Sequence, residues 1–237
     1  MTDNKNCVHA VILAAGNSTR MGENKMFMSL DGKTVLVRTV MAFDSHPLVD
    51  TVTVVTRAED ALLVEKMLGT IEKKKAFKIV HGGKERIDSV AAGIEGIEEE
   101  NAIIAIHDGA RPLVTEEIIT KAILAAEAHG GAIPAVRVKD TLKIVSEQGF
   151  VTKTPDRSTL YSAQTPQCFM ADRFKTAMKK ALDSGEVFTD DASVFSFNGG
   201  KVFITEGSYE NLKITTYDDI LAAQVFLINR KKEEPFL

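Results

Sequence analysis

Cysteine is scarce in this 237-residue sequence, and tryptophan is missing. The two cysteines, Cys7 and Cys168, are too few and too far apart for a disulfide framework, and they predict no zinc site. The five histidines are scattered and show no metal-ligand spacing. We interpret the cysteines as reduced structural thiols of a cytoplasmic protein.

Long uncharged apolar runs and an excess of positive charge are also missing. No apolar stretch approaches the ~20 residues of a membrane-spanning helix, and the polar start "MTDNKNC" is unlike a secretory signal. The net charge of -4 argues against nucleic acid as a partner, because non-specific binding to nucleic acid depends on basic surfaces. A small anionic ligand held by a few local cations remains compatible with this composition.

The residues that are present predict a soluble α/β protein. With 44% hydrophobic residues, the chain can build a full core, and we interpret residues 1–237 as a single domain. Strand-like and helix-like segments alternate in the first half, which predicts a mostly parallel sheet with helices on both faces. The predicted strands cover residues 8–13, 51–56, 77–80, 102–106 and 131–136.

Three polar segments follow predicted strands. They are "AAGNSTRMGENK" (14–25), "HGGKERIDS" (81–89) and "HDGARP" (107–112). Ligands of such sheets bind beyond the carboxyl ends of the strands, so these segments are expected to meet at one site.

The first segment has small residues and two cations but lacks two standard nucleotide motifs. It has no Gly-Lys-Ser/Thr sequence, and its glycines do not match G-x-G-x-x-G, which disfavours an NAD-dependent oxidoreductase. We interpret it as a loop that wraps phosphates with backbone amides, with Arg20 and Lys25 as counter-charges. The alternative is a solvated turn that carries two surface cations.

The other two segments have functional and structural interpretations. Gly82 and Gly83 allow close contact with a flat group such as a base, or they form a flexible turn. Asp108 ends the most apolar strand, where its carboxylate can hold Mg²⁺ together with phosphate oxygens. The alternative for Asp108 is a helix cap or a local pair with Arg111.

The second half of the chain begins with a different pattern. Residues 138–160 alternate polar and apolar side chains about "SEQG", which predicts a β-hairpin that packs on its own core or on a second subunit. Helix, strand and helix follow, and the last residues, "RKKEEPFL", are expected to fray. Spacing alone cannot choose among the polar residues of this half.

Taken together, the motifs resemble one enzyme family. "VILAAGNSTRMGENK", "HGGKERIDSV", "HDGARPLV", "TKTPDRSTLYSAQTPQCF" and "EGSYENLKITTYDD" occur in this order in the 2-C-methyl-D-erythritol 4-phosphate cytidylyltransferases of non-mevalonate isoprenoid biosynthesis. The resemblance implies a Rossmann-like nucleotidyltransferase that transfers CMP from CTP to methylerythritol phosphate and releases pyrophosphate. It also implies Mg²⁺ as cofactor and a homodimer in which hairpin 138–160 is an arm that crosses to the second subunit.

The resemblance also implies a role for individual residues. Arg20, Lys25 and Lys213 are expected to be catalytic, and Asp108 is expected to lie at the nucleotide and the metal. The expected nucleotide-binding residues are Ala14, Ala15, Gly16, Gly82, Ser89 and Asp108. The expected substrate-binding residues are Arg111, Thr141, Arg157, Thr165 and Thr189.

Two residues depart from the family pattern, and two other functions stay open. Ser18 replaces a usual glycine and Asn24 a common proline, which leaves every charge of the loop in place. The closest alternative is a cytidylyltransferase for another polyol phosphate such as ribitol 5-phosphate. The small residue before Arg111 favours methylerythritol phosphate, because the alternative family usually has valine there. A non-catalytic nucleotide-binding module is the other alternative.

Overall fold

The computed structural model describes residues 6–16, 24–99 and 101–233. The strands are β1 Cys7–Leu13, β2 Ser29–Leu30, β3 Lys33–Thr34, β4 Thr51–Thr56, β5 Ala76–His81, β6 Ala102–Asp108, β7 Gly131–Arg137, β8 Ile144–Val145, β9 Val151–Lys153, β10 Tyr161–Ala163, β11 Gln167–Met170 and β12 Phe203–Glu206. The helices are α1 Val35–Asp44, α2 Ala61–Leu68, α3 Arg86–Ile94, α4 Glu116–His129, α5 Ala171–Ser184, α6 Asp191–Phe197 and α7 Tyr217–Glu233. Short 3₁₀ helices cover Lys25–Phe27, Ala58–Asp60 and Arg157–Thr159.

One large sheet has the strand order β10-β7-β11-β6-β1-β4-β5, and β12 pairs with β7. Strands β6, β1, β4 and β5 are mutually parallel, and β12 is parallel to β7. The predicted α/β class with a mostly parallel sheet is therefore confirmed. Strands β10 and β11 are antiparallel to their neighbours, and β11 separates the predicted fourth and fifth strands.

Apolar side chains cover both faces of this sheet. Along β1, the alternate residues Val8, Ala10 and Ile12 pack with α1, α2 and α4 in one cluster. Val11 and Leu13 point to the opposite face and pack with α3 and α5 in a second cluster. This alternation follows from the two-residue period of a strand, and it explains why β1 is apolar at every position from 10 to 13.

The registers of the parallel strands bring the three polar segments to one edge. Leu13 pairs with Asp108, and Thr56 pairs with His81, so the carboxyl ends of these strands lie side by side. The backbone bonds from Ala14 N to Val55 O at 2.7 Å and from Gly109 N to Leu13 O at 2.9 Å continue the pairing beyond the strands. The predicted meeting of the three segments is confirmed.

The predicted hairpin is present and projects its apolar side chains into solvent. Strands β8 and β9 pair only with each other, and Gly149 takes the left-handed φ of +86° that the turn requires. Phe150 is 74% exposed and Val151 is 58% exposed, so no core formed by the described residues covers the hairpin.

The prediction of a frayed C-terminus is wrong for the residues from Arg230 to Glu233. Helix α7 continues through Glu233, because Arg230 Nε donates to Glu210 at 2.9 Å and Lys231 Nζ donates to Asp31 at 2.8 Å. Across residues 6–16, 24–99 and 101–233, no helix combines the length and the apolarity that spanning a bilayer takes.

Candidate active site

A cleft of about 200 Å³ opens where the three polar segments meet. Its walls come from the end of β1, the turn that follows residue 23, the start of α3, the end of β6 and the segment before α7. The residues that line it are Leu13, Ala15, Gly16, Lys25, Met26, Gly83, Lys84, Glu85, Arg86, Ser89, Asp108, Ala110 and Lys213. The cleft therefore contains one aspartate of the sheet edge and several cations, as a phosphate-binding site requires.

Asp108 lies at the centre of a cluster of opposite charges. Its Oδ2 is 3.0 Å from Lys213 Nζ and 3.5 Å from Arg111 Nε, and its Oδ1 is 4.0 Å from Arg86 Nη2. Burial alone would raise the pKa of this carboxyl, but the charges of Lys213, Arg86 and Arg111 lower the pKa to about 2. Asp108 is therefore a carboxylate at every physiological pH.

A buried network fixes the backbone at Asp108. The hydroxyl oxygen of Thr165 accepts a bond from Asp108 N at 3.2 Å, and it lies 2.8 Å from Nδ1 of His107. Because His107 Nε2 faces the carbonyl of Arg111 at 3.1 Å, Nε2 carries the imidazole proton and Nδ1 accepts from Thr165. Thr165 is only 4% exposed, so the structure places this predicted substrate residue behind Asp108.

Lys213 reaches the cleft from a segment held by buried neighbours. Asn211 is fully buried, and its amide donates to the carbonyl oxygen of Thr165 at 3.0 Å. Ile214 N donates to Ala110 O at 2.8 Å. Arg111 Nη1 donates to the carbonyl oxygen of Asn211 at 2.7 Å. These bonds tie the segment to the sheet edge, while the Lys213 side chain stays 42% exposed and faces the cleft.

Arg86 links the cleft to the second half of the chain. Its guanidinium donates two bonds to the carboxylate of Asp191, at 2.8 and 2.7 Å. The Asp191 side chain is only 1% exposed, so the pair is largely desolvated. Burial opposes the charge of Arg86, but the carboxylate of Asp191 outweighs it and raises the pKa of Arg86. The pair fixes the start of α3 against α6 and keeps a permanent cation beside Asp108.

A capped turn presents Lys25. Asn24 is the N-cap of the 3₁₀ helix, since its Oδ1 accepts from Met26 N at 3.2 Å. Asn24 Nδ2 also donates to Asp60 at 3.1 Å, and the 4% exposed Met26 anchors the turn in the core. Asn24, one of the two departures from the family pattern, thus has a structural role that a proline could not fill.

The predicted nucleotide-binding residues gather at one wall. A Cβ atom on Gly82 would lie 2.7 Å from both Ala15 Cβ and Ser89 Oγ, so only glycine fits between these two residues. Ala14 is buried, whereas Gly16 has open space around its Cα and faces the cleft. This wall therefore presents backbone rather than bulky side chains.

Several predicted residues are not brought into this cleft. Arg20 and Ser18 lie outside the described residues. Thr141, Arg157 and Thr189 are exposed and do not line the cleft. Arg157 instead donates to the backbone carbonyl of Lys139 at 2.8 Å, within the segment that carries the hairpin. The structure thus brings Lys25, Asp108 and Lys213 together in the cleft, whereas Thr141 and Arg157 lie on the projecting arm.

The residues of the cleft fit a magnesium ion that takes most of its ligands from phosphate and water. Asp108 offers one carboxylate, and its Oδ1 has no cation closer than the 4.0 Å of Arg86 among the described residues. Mg²⁺ commonly binds through one or two carboxylates together with phosphate oxygens. The donor set therefore suits Mg²⁺ bound to a nucleotide.

Comparison with known proteins identifies the family of this chain. The sequence profile described as 2-C-methyl-D-erythritol 4-phosphate cytidylyltransferase matches residues 8–229. A relative of that name from Caldanaerobacter subterraneus subsp. tengcongensis is 45% identical over 223 residues, which cover 93% of this chain and 98% of the relative. The chain belongs to the 2-C-methyl-D-erythritol 4-phosphate cytidylyltransferase family. It is accordingly an enzyme of the nucleotidyltransferase class.

Other members of this cytidylyltransferase family agree in sequence and in fold. The Clostridium acetobutylicum relative is 44% identical over 225 residues, with 94% of this chain and 97% of the relative covered. The crystal structure of 4-diphosphocytidyl-2C-methyl-D-erythritol synthase from Anaerococcus prevotii is 30% identical and superposes with a TM-score of 0.85, covering 95% of this chain and 97% of the other. The Thermus thermophilus cytidylyltransferase is 27% identical with a TM-score of 0.74, and the coverage is 92% and 97%.

Sequence reasoning missed three residues that build the site of this cytidylyltransferase. Arg86 and Asp191 form the buried pair, and Asn211 holds the segment of Lys213. Arg86 lies in a predicted segment, but its partner is 105 residues away and no local spacing connects them. The one signal for Asn211 was its position, two residues before the predicted catalytic Lys213.

Proposed function

We propose that this enzyme transfers the cytidylyl group of CTP to 2-C-methyl-D-erythritol 4-phosphate, giving 4-diphosphocytidyl-2-C-methyl-D-erythritol and pyrophosphate in isoprenoid precursor biosynthesis. The observation that carries the proposal is the cleft at the carboxyl edge of the sheet, in which Lys213 and Arg86 lie beside Asp108 and Lys25 lines the wall. Membership of the family supports the choice of both substrates.

Charge repulsion is a large part of the barrier to this reaction. A phosphate oxygen of the acceptor attacks the α-phosphorus of CTP, and the bond from this phosphorus to the pyrophosphate oxygen breaks. Both reactants are anions, so fixed cations at the α-phosphate lower the energy of the five-coordinate transition state. No covalent intermediate is needed for this exchange.

We assign the catalytic charges to Arg20, Lys25 and Lys213. The capped turn that carries Lys25 and the buried anchors beside Lys213 support preorganised positions for both ammonium groups. Removal of one preorganised group of this kind typically costs on the order of 10²–10³ in kcat. Arg20 completes the set on the family resemblance, and its position lies outside the described residues.

We assign nucleotide binding to the wall of small residues and magnesium binding to Asp108. The small residues of this wall support a flat base against the backbone near Gly82, with Ala14, Ala15 and Gly16 around the phosphates. The Asp108 carboxylate would hold Mg²⁺, and the chemistry that this ion supplies when bound is neutralisation of phosphate charge. Lys213, Arg86 and Arg111 keep that carboxylate ionised and oriented.

We further propose a homodimer in which each arm, residues 138–160, completes the acceptor site of the other subunit. Thr141 and Arg157 are exposed and do not line their own cleft, and Phe150 at the apolar tip is exposed as well. A partner surface over the arm would bury that tip. Residues 1–237 then act as one nucleotidyltransferase domain with a dimerisation arm.

The remaining acceptor-binding assignments are Arg111, Thr165 and Thr189. Arg111 and Thr165 contact the Asp108 cluster, so we propose that they shape the acceptor pocket from behind. Thr189 lies just before the capping residue of α6 and is exposed. We propose the cytoplasm as the location, on the scarcity of cysteine.

Pyrophosphate release from CTP tests the proposed function. We expect release that depends on methylerythritol phosphate and Mg²⁺, with ribitol 5-phosphate much poorer as acceptor and UTP much poorer than CTP. Lys201→Ala, which changes an exposed lysine outside the cleft, is the matched control for lysine substitutions and retains full activity. Stoichiometric binding of CTP with no release for any acceptor would instead indicate a binding module.

Sedimentation tests the dimer. Phe150→Ser removes the exposed aromatic tip of the arm and is expected to shift the protein towards monomer and to reduce activity with it. Val187→Ser is the matched control, because Val187 is 94% exposed and lies outside the arm. Unchanged mass in the Phe150→Ser protein would contradict the role of the arm.

A further inference from the structure

A second cluster of metal-ligating side chains lies at the opposite edge of the sheet. Cys7 Sγ, a ring nitrogen of His9 and a carboxylate oxygen of Glu99 all lie within 4.8 Å of one another. Within residues 6–16, 24–99 and 101–233, this is the one group of three or more His, Cys, Asp or Glu side chains close enough to hold a metal ion. The cluster plays no part in the proposed transfer reaction.

The strand itself presents two of these ligands. Cys7 and His9 are two residues apart on β1, so both side chains point to the same face of the sheet. Glu99 lies just before β6, and Cys7 pairs with Ala102 at the start of that strand. The two cysteines, judged by their spacing along the chain, predicted no zinc site. The three side chains of this cluster come together because β1 and β6 pair side by side.

His9 has the arrangement of a metal ligand with an orienting partner. Its Nδ1 lies 2.8 Å from the Thr51 hydroxyl oxygen, to which a proton on Nδ1 can be donated. Its Nε2 is buried and makes no well-aligned hydrogen bond within the described part of the chain, although Glu99 Oε2 lies 3.2 Å away. When Nδ1 carries the ring proton, the Nε2 lone pair and the Glu99 carboxylate are two acceptors that a cation would join. Ligating histidines usually donate their other ring nitrogen in this way.

We propose that Cys7, His9 and Glu99 bind Zn²⁺, with a water molecule as the fourth ligand. Thiolate, imidazole and carboxylate are the ligands that Zn²⁺ prefers, and hard Mg²⁺ is not suited to a thiolate. On binding, the Cys7 thiol loses its proton to solvent, so the thiolate and the carboxylate together balance the two charges of the metal.

The surroundings allow such an ion to enter and to be neutralised. A cavity of about 240 Å³ reaches His9 and Glu99 from solvent. Two charged groups lie near the cluster: Asp50 accepts a bond from Val8 N at 2.8 Å, and the Lys175 ammonium contacts the Ile97 carbonyl. These opposite charges leave the site near neutrality once the metal is bound.

The zinc site is independent of the catalytic cleft. Cys7 and Asp108 lie at opposite ends of paired strands β1 and β6, and six residue steps at about 3.3 Å give a separation of about 20 Å. Zinc binding can therefore be measured without CTP, and its failure would leave the proposed transfer reaction untouched.

Metal titration of the full-length protein tests the site. After chelator treatment and dialysis, we expect one equivalent of Zn²⁺ by calorimetry, and a thiolate-to-metal charge-transfer band with Co²⁺ as the spectroscopic probe. Cys7→Ser is expected to abolish the band and to weaken zinc binding at least tenfold. Cys168→Ser, which changes the buried cysteine of the core, retains both and is the matched control.

A second pair of variants guards against misfolding of the first. Glu99 is about half exposed and packs in no core, so Glu99→Gln is expected to fold and to weaken zinc binding at least tenfold. Its neighbour Glu98 is the matched control, and Glu98→Gln retains wild-type affinity. Zinc is also expected to raise the Tm of the wild type by more than that of Glu99→Gln. No zinc uptake by the wild type, or equal affinity in Cys7→Ser and Cys168→Ser, would overturn the proposal.

Discussion

Replacement of Asp108 by asparagine removes the one carboxylate of the charge cluster while keeping the size of the side chain. In the wild type, this carboxylate lies 3.0 Å from Lys213 and 3.5 Å from Arg111. The Asp108→Asn protein would keep these two cations and Arg86 around a side chain that no longer carries a negative charge. We therefore expect Asp108→Asn to be less stable as well as inactive.

The lowered pKa gives the size of the stability loss. A fall in the pKa of Asp108 from 3.8 to about 2, at about 1.36 kcal/mol for each pKa unit, corresponds to about 2.5 kcal/mol. Because the pKa is lower in the folded state, this contribution is fully present above pH ~4 and is lost as the pH falls towards 2. The stability difference between wild type and Asp108→Asn is thus expected to stay constant from pH 5 to pH 8.

Urea unfolding followed by circular dichroism measures this difference. We expect Asp108→Asn to lower the free energy of unfolding by about 2–3 kcal/mol. The control, Asp183→Asn, changes an exposed aspartate at the end of α5 and is expected to alter stability by less than about 0.5 kcal/mol. If Asp108→Asn is as stable as the wild type, the three cations do not stabilise the carboxylate, and the electrostatic reasoning is refuted.

Three further predictions concern the cleft and the residues that support it. Lys25→Ala is expected to lower kcat by at least about 10² with an unchanged circular dichroism spectrum, and normal turnover would remove Lys25 from the mechanism. Asp191→Asn leaves the partly buried Arg86 without its carboxylate and is expected to cost about 3 kcal/mol in urea unfolding, whereas a loss below about 1 kcal/mol would contradict a desolvated ion pair. Burial lowers the pKa of His107 to about 4, so its NMR ring signals should not titrate between pH 7.5 and 5.5. Because the unfolded state binds this proton more readily, His107 makes the free energy of unfolding fall as the pH drops from about 6.5 to 4. Titration of His107 near pH 6.5 would contradict both statements.

The parallel half of the fold and the centre of the site were predictable from local patterns. Apolar runs that stop at small polar segments give parallel strands, and the ends of parallel strands lie at one edge. This rule alone places Lys25 and Asp108 in one cleft. The added family resemblance supplied Lys213, whose approach depends on a segment over 100 residues further along the chain.

The antiparallel insertion could not be predicted in the same way. Strand β11 has only four residues, Gln167–Met170, and two of them are glutamine and cysteine. Its position between β6 and β7 is decided by packing, since Phe169 stacks on Phe174 and lies against Phe195 in the core. Such contacts join residues of three elements and leave no periodic signal in the sequence.

Buried polar contacts were also invisible to sequence reasoning. By spacing alone, Thr165 was one polar residue among many, but its hydroxyl accepts from the backbone of Asp108 and contacts His107. Asn24 looked like a departure from a family pattern, yet it caps the turn of Lys25. In both cases the sequence showed that the side chain can form hydrogen bonds, but the tertiary structure determined which partner it bonds to.

A crystal structure of the enzyme with CTP and Mg²⁺ tests the central claim most directly. We expect the triphosphate in the cleft, with Lys25 and Lys213 on its oxygens, the metal at Asp108 and the base against Gly82. A nucleotide bound elsewhere, with this cleft empty, would contradict the assignment of the active site.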